Sequence, residues 1–519
     1  MTTLRRGARG LVVGDVAVAV GLGVLAALVR RDLPTNGLIY DDAWVAAGAG
    51  HAGFDDILTI STNHPGFSLL LMTWSRLVWD ASVAFVVPAL VAGVLAAPVA
   101  YLALTRLRVH RAAALSAAAL LVVAHIHAVY SARVKPYTGE TLIGLVAMVA
   151  TPIVAGRRWR WRTAAVWTAA ALAVGTYSAF ATVIAGTATL VAAAHPRGDR
   201  TRRLAALAVQ GPIQLAQLLL LSRRYDSATV AEDWGRYGGY FEFDEPLTFP
   251  RQVITHLRRF GQTVLTVDSI PALALVVVAL VGLAWTAWRG DRRRAIAARL
   301  LIVQLAVAFV GALARQIPFG PAPSNPLFPA GRAMLWLLPA LVGGVALGAD
   351  MVIRSVDSRW GRPWNRVAAA IGLVATLAVT ASNVTVPQSY DMGARTAAEF
   401  TERHLREGDV LVVLPNATWS YAAEPSADAG IRSDPTTLQG FVPTFTRPGT
   451  FSTREWDGRT ETLGPQVAAA DRIVIVNGWV GLGEGRVREL ETSLTEMGFA
   501  PDAEHRDQTF VVTVWQRPG

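Results

Sequence analysis

Gly66-Phe-Ser-Leu-Leu-Leu-Met-Thr-Trp-Ser-Arg-Leu-Val-Trp-Asp80 decides how the rest of the chain is read. The pattern is helical and apolar, yet it is shorter than the roughly 20 residues a membrane-crossing helix needs, and it contains Arg76. Were it to cross, every later arginine cluster would fall on the outer side of the membrane, against the tendency of arginine to stay inside. It is therefore read as an amphipathic helix in the outer interface. Residues 31–81 then form one outward loop between the first and second spans.

Bulk composition supports a bilayer setting. The chain has 519 residues, 52% hydrophobic and 17% charged, with mean hydropathy +0.37. A soluble protein of this size needs more polar surface. The net charge of +10 comes from arginines in short clusters between apolar runs, a pattern of membrane topology that excludes a nucleic-acid-binding face. With no cysteine there are no disulfides, no thiolate chemistry and no cysteine zinc site. The basic N-terminus leads into an apolar run long enough to span and without a convincing cleavage site, so it is read as a retained first helix.

Apolar runs between polar breaks give about eleven expected transmembrane helices: 10–30, 82–104, 112–130, 140–155, 163–178, 180–195, 204–221, 268–288, 299–316, 333–353 and 367–384. The turn between the fifth and sixth is barely polar, so those two are a broken helix or a tight hairpin. The clusters Arg106/Arg108/Arg111, Arg157/Arg158/Arg160/Arg162, Arg197/Arg200/Arg202/Arg203, Arg289/Arg292/Arg293/Arg294 and Arg354/Arg359/Arg362/Arg366 are set inside. The expected organisation is an α-helical polytopic membrane domain over 1–385, N-terminus cytoplasmic, and a small extracytoplasmic α/β domain over 386–519. In the latter, Asp409-Val-Leu-Val-Val-Leu, Arg472-Ile-Val-Ile-Val and Thr509-Phe-Val-Val-Thr-Val-Trp are β-rich, and 485–497 is helical. Asn477-Gly-Trp-Val-Gly-Leu-Gly-Glu-Gly has the wrong glycine spacing for a nucleotide fingerprint.

The outward loop reads Asn36-Gly-Leu-Ile-Tyr-Asp-Asp-Ala-Trp-Val-Ala. Asp41 or Asp42 could simply cap a helix starting at Ala43. Alternatively, one carboxylate accepts a proton from an attacking hydroxyl, while the other orients the acceptor or helps hold a divalent cation such as Mg, Mn or Ca, with His64 as a further ligand. His64, in Asn63-His-Pro-Gly, is otherwise a structural hydrogen-bonder, and Asp55-Asp56 are helix-start residues.

A second candidate group is Tyr130-Ser-Ala-Arg-Val-Lys-Pro-Tyr-Thr-Gly-Glu at the outer end of the third span. Cations at a membrane edge often only snorkel to water. Here, however, they lie on the side where cations are disfavoured, and Lys135 is the only lysine beside 47 arginines. Arg133 and Lys135, with Tyr137, suit a phosphate, and Glu140 is a candidate substrate contact. Arg332 is a further phosphate-binding candidate or an interfacial anchor. The aromatics of 222–267, Tyr237 among them, suit sugar stacking or an interfacial belt. His125 and His127 have no acidic partner at helical spacing and are assigned no metal.

The order of these features resembles the C-type membrane glycosyltransferases (GT-C), in particular bacterial relatives of protein O-mannosyltransferases, the aminoarabinose transferase and actinobacterial arabinofuranosyltransferases. The likeness covers roughly 10–385. The family's Asp-Glu pair corresponds to Asp41-Asp42, its His-Pro-Pro to His64-Pro65-Gly66, and its late Arg-Tyr to Arg332-Ala333. The resemblance implies an inverting glycosyltransferase of the plasma membrane acting at its outer face. It would move a sugar from a polyprenyl-phosphate donor to an envelope glycan, lipid or protein, with Asp41 as base. The rival expectation, a transporter or lipid flippase, would place ionisable residues deep within the spans.

Overall fold

The computed structural model describes residues 2–32, 37–60, 64–78, 81–157, 159–194, 200–222, 235, 239–242, 247–265, 270–319, 331–360, 363–364, 366–367, 369–372, 374, 392–434, 441–445, 449–452, 467, 469–478, 484–507 and 509–518. The chain divides into two compact units. One joins Met1–Asp32 to Ala89–Gln388; the other joins Leu33–Pro88 to Ser389–Gly519. The outward loop of the sequence analysis thus clusters with the C-terminal segment.

The first unit is helical. Among the described residues six helices are long and apolar enough to cross a membrane: Ser82–Arg106, Tyr137–Gly156, Arg200–Leu220, Ile270–Arg289, Arg292–Leu313 and Arg332–Trp360. The pair Arg111–Val123 and His125–Ser131, bent by 57°, makes a seventh if it is one span. The expected eleven are not all found as full-length spans. The first expected span lies in helix Thr2–Val29 of 28 residues, whose apolar stretch is Val13–Val29, while Ala179–Ala194 has 16 residues and Trp161–Gly175 has 15. At about 1.5 Å per residue the last two fall short of a hydrocarbon core about 30 Å thick. Trp161–Gly175 and Ala179–Ala194 form the tight hairpin, with Trp167 Nε1 donating to Thr189 Oγ1 at 2.9 Å. Most of the eleventh run, 367–384, lies outside the described residues.

Small residues let these helices approach. A Cβ on Gly344 would come within 2.6 Å of the Ala279 carbonyl, and one on Gly144 within 2.7 Å of Pro339 Cγ. Glycine and alanine at such crossings replace the hydrophobic drive that lipid does not supply between helices. Side chains such as Val277, Val281 and Val310 remain exposed on the outer faces, as a lipid-facing surface requires.

All five arginine clusters are linked at one end of this unit. Arg354 donates to the Arg108 carbonyl at 2.8 Å, and Arg294 pairs with Asp350 at 2.7 Å. Arg292 and Arg203 both donate to the Ala155 carbonyl, and Arg202 to that of Trp159. The sequence placed these clusters on one side by counting; the helical contacts bring them together.

In the second unit a five-stranded sheet has the order β4-β1-β5-β7-β6. Its strands are β1 (Val410–Val413), β4 (Thr450–Ser452), β5 (Arg472–Asn477), β6 (Ala500–Asp507) and β7 (Phe510–Gln516); β2 (Ala429–Ser433) and β3 (Phe441–Phe445) form a separate ribbon. The three β-rich runs of the sequence are the adjacent strands β1, β5 and β7, and helix Glu484–Glu496 matches the expected one. β1 runs parallel to β4 and β5, and β7 antiparallel to β5 and β6. Val410, Val412, Ile473, Ile475, Leu490, Leu494 and Trp515 share one core.

Helix Pro65–Val78 belongs to this unit and is amphipathic. Phe67, Ser68, Leu71, Met72 and Ser75 are buried, while Leu69, Leu70 and Leu77 are exposed. Its 14 residues reach only about 21 Å.

Candidate functional site

The acid pair sits in the first turn of helix Tyr40–His51. The helix begins three residues earlier than the capping alternative assumed: Ile39 is its N-cap, so neither aspartate caps it. Two carboxylates in a first turn are favoured by the helix dipole, by about 0.3–1 kcal/mol each. Asp41 is half-buried and accepts from Trp44 Nε1 at 3.4 Å; Asp42 is buried.

The helix is held by tertiary contacts. Trp44 packs against Phe441 at 6.5 Å between ring centroids. His51 Nε2 lies 2.8 Å from the Ala422 carbonyl, and burial lowers the His51 pKa. The left-handed turn at Gly37 (φ 110°), where a Cβ would strike Ala394, brings the chain into the helix. The acid pair is thus fixed by residues more than 350 positions away in sequence.

His64 lies just ahead of helix Pro65–Val78. Its Nδ1 is 3.1 Å from Ser68 Oγ, and its ring meets Phe67 edge-on at 5.6 Å. Asp56 accepts from the Gly53 backbone N–H at 3.1 Å, as a helix-start residue does. The helices carrying Asp41-Asp42 and His64 pack on one another. Among the described residues no three His, Asp or Glu side chains converge as a metal site would require.

The cation group belongs to the helical unit. Arg133 and Lys135 are both buried, in the turn between His125–Ser131 and Tyr137–Gly156. Pro136 is the N-cap of the latter helix, so both cations stand just before a helix N-terminus, where the dipole is also positive. Tyr137 meets Tyr130 edge-on at 5.1 Å. Glu140 is buried in the first turn and hydrogen-bonded to Ser178, which also accepts from the Ala181 N–H to cap the next helix. That partner gives Glu140 a role as a tie between helices.

Arg332 opens the 3-10 turn Arg332–Leu337, which packs against helix Tyr137–Gly156. Thr141 Oγ1 donates to the Leu335 carbonyl at 2.9 Å, and Trp336 stacks on Phe180 at 5.3 Å. Arg133, Lys135, Tyr137, Glu140 and Arg332 are therefore grouped around one helix start, whereas Asp41, Asp42 and His64 belong to the other unit. Tyr237 lies outside the described residues. Phe241, from the same aromatic loop, is a core residue stacked on His256 at 4.5 Å.

One element of the cation group was missed in the sequence. Arg30 is 2% exposed and sits at the break between Arg111–Val123 and His125–Ser131. Its guanidinium donates to the Val122 carbonyl at 2.9 Å and Leu121 at 3.4 Å, groups that the break deprives of helical partners. It also reaches Ser131 Oγ and His127 Nδ1, each at 3.0 Å. The clamp fixes Ser131, two residues before Arg133. With partners 91–101 residues away, no spacing signal could reveal it.

No family model matches the chain, and no curated protein matches it. Among solved structures it is similar to the crystal structure of the Archaeoglobus fulgidus oligosaccharyltransferase in complex with Zn and sulfate, with 15% identity and a TM-score of 0.44. The match covers 79% of this chain and 61% of that one, so this chain spans about three fifths of that protein's length.

Proposed function

We propose that this protein is an inverting membrane glycosyltransferase that moves a sugar from a polyprenyl-phosphate donor to a hydroxyl of an envelope glycan, lipid or protein. The observation that carries the proposal is the turn Arg133-Val-Lys-Pro136: two buried cations before the N-terminus of a long apolar helix, with the Arg332 turn packed on that helix. Positive charge so placed suits a phosphate whose lipid tail lies among apolar helices.

The donor's phosphate is bound by Arg133 and Lys135, with Tyr137 and Arg332 assisting. As the glycosidic bond to phosphate breaks, negative charge grows on the leaving oxygen, and the cations stabilise it in a setting of low dielectric. Asp41 takes the proton from the acceptor hydroxyl, whose oxygen forms the new bond at the anomeric carbon with inversion. Asp42 orients the acceptor, and His64 and Glu140 contact the substrate. His64 Nδ1 faces Ser68 Oγ, and among the described residues no three His, Asp or Glu side chains converge, so the residues present do not fit Mg, Mn or Ca.

The full-length protein, incubated with a panel of radiolabelled polyprenyl-phosphate pentoses and hexoses, with and without chelator, is expected to turn over at least one donor. The arabinosyl and mannosyl donors head that panel. Failure with all of them by folded protein would favour the transporter or flippase reading.

A further inference from the structure

At the arginine-rich end of the helical unit, among residues that have no part in the proposed function, helices Ile270–Arg289 and Leu338–Trp360 line an open pocket of about 210 Å³. That is room for about seven water molecules, or for a phosphodiester headgroup. Its polar wall is made by Arg289, Arg294, Asp350, Arg354, Ser355 and Ser358. From this geometry we propose that the pocket binds the phosphate of an anionic phospholipid.

Asp350, 2% exposed, orients two of the three guanidiniums, pairing with Arg294 and Arg354 at 2.7 Å each. A third bond, from the His110 backbone N–H, fixes the carboxylate itself. Arg294 also meets Asp291 at 2.6 Å. Arg289 differs: among the described residues it meets no carboxylate, and its guanidinium carbon lies 4.5 Å from the Trp288 ring centroid and 6.0 Å from that of Trp285. A guanidinium drawn over an indole face still has N–H groups to offer an oxyanion. Three guanidiniums against the carboxylates of Asp350 and Asp291 leave one positive charge in excess, and the Ser355 hydroxyl supplies a neutral donor beside them, while that of Ser358 donates to the Ser355 carbonyl.

The surroundings select a lipid over a soluble anion. Trp285, Trp288 and Trp360 are exposed beside the pocket, in the manner of an interfacial belt. Farther along the same helix Val277, Val278 and Val281 are exposed, giving acyl chains an apolar wall. A basic pocket between membrane helices, bordered by tryptophan and then by aliphatic side chains, matches the order of charges and apolar groups in a phospholipid.

The test is binding of phosphatidylglycerol and of phosphatidylcholine with matched chains to full-length protein in detergent, followed by native mass spectrometry, with inorganic phosphate as competitor. Phosphatidylglycerol is expected to bind at least about tenfold more tightly, and Arg289→Ala to erase that preference. Ser355→Glu, at an exposed position, should do the same by adding a negative charge to the wall. Equal binding of the two lipids, or unchanged preference in both variants, would overturn the proposal. Displacement of the lipid by inorganic phosphate at millimolar concentration would also overturn it, assigning the pocket to a soluble anion.

Discussion

Arg30 and Asp350 of the helical unit and Glu424 of the other unit are buried charges handled differently. In the helical unit, Arg30 and Asp350 are enclosed by several partners each: Arg30 by the carbonyls and side chains of a helix break, Asp350 by two arginines and a backbone N–H. In the other unit, Glu424 is buried and accepts from the hydroxyl and the backbone N–H of Ser82, with Arg395 and Glu399 acting only at a distance. Its burial pushes its pKa up to about 7. A unit sheathed in lipid has no water to complete a polar shell, so charges there need partners inside the bundle. An α/β unit can leave an acid half-satisfied and let it take up a proton instead.

Four substitutions put that contrast to the test. Asp41→Asn keeps the size of a first-turn side chain but removes a base. Transfer should fall by at least about a thousandfold with the melting temperature unchanged, and turnover near the native rate would remove Asp41 from the mechanism. Arg30→Met should cost about 2–4 kcal/mol of stability, because the carbonyls of Leu121 and Val122 lose their donor. A thermal melt in detergent reads this, and an unchanged melt would show the helix break to be stable without its clamp.

Smaller effects follow for the phosphate group and for Glu424. Lys135→Ala should weaken donor binding by about 10- to 100-fold through loss of a charge-assisted contact, while Lys135→Arg restores most of it; equal donor affinity in native protein and the alanine variant would exclude the lysine. Glu424 has a folded pKa raised above its ordinary 4.5, so its contribution is complete below that value and is lost as pH rises through about 7. Glu424→Gln should therefore flatten the pH dependence of unfolding between about pH 5 and 8, by about 1–3 kcal/mol at the upper end. A native protein equally stable at both ends of that range would contradict the unequal treatment of buried acids.

The candidate residues stand out in the sequence because they are charges on an apolar background. Arg133 and Lys135 were found as cations beside a span end, and the structure buries them next to a helix start and the Arg332 turn. The acid pair was legible as chemistry but not as local structure: Tyr40 and Ile39 carry no capping signal, and the helix starts there because Trp44 and Gly48 lie against Phe441. Arg30 and Glu424 went unseen, since the contacts of Arg30 at the helix break and the Ser82 bonds of Glu424 join residues 91 or more positions apart.

Composition and arginine spacing alone determined that this is a helical membrane chain with a β-containing C-terminal segment, because hydropathy and charge act residue by residue. They also settled that residues 66–80 are too short to cross. Tertiary structure alone decided that 33–88 joins 389–519, how many helices are long enough to span, and which cations meet. The reason is physical: a span is legible from its own side chains, whereas a helix break, a clamp or a split domain exists only through contacts between residues far apart in the chain.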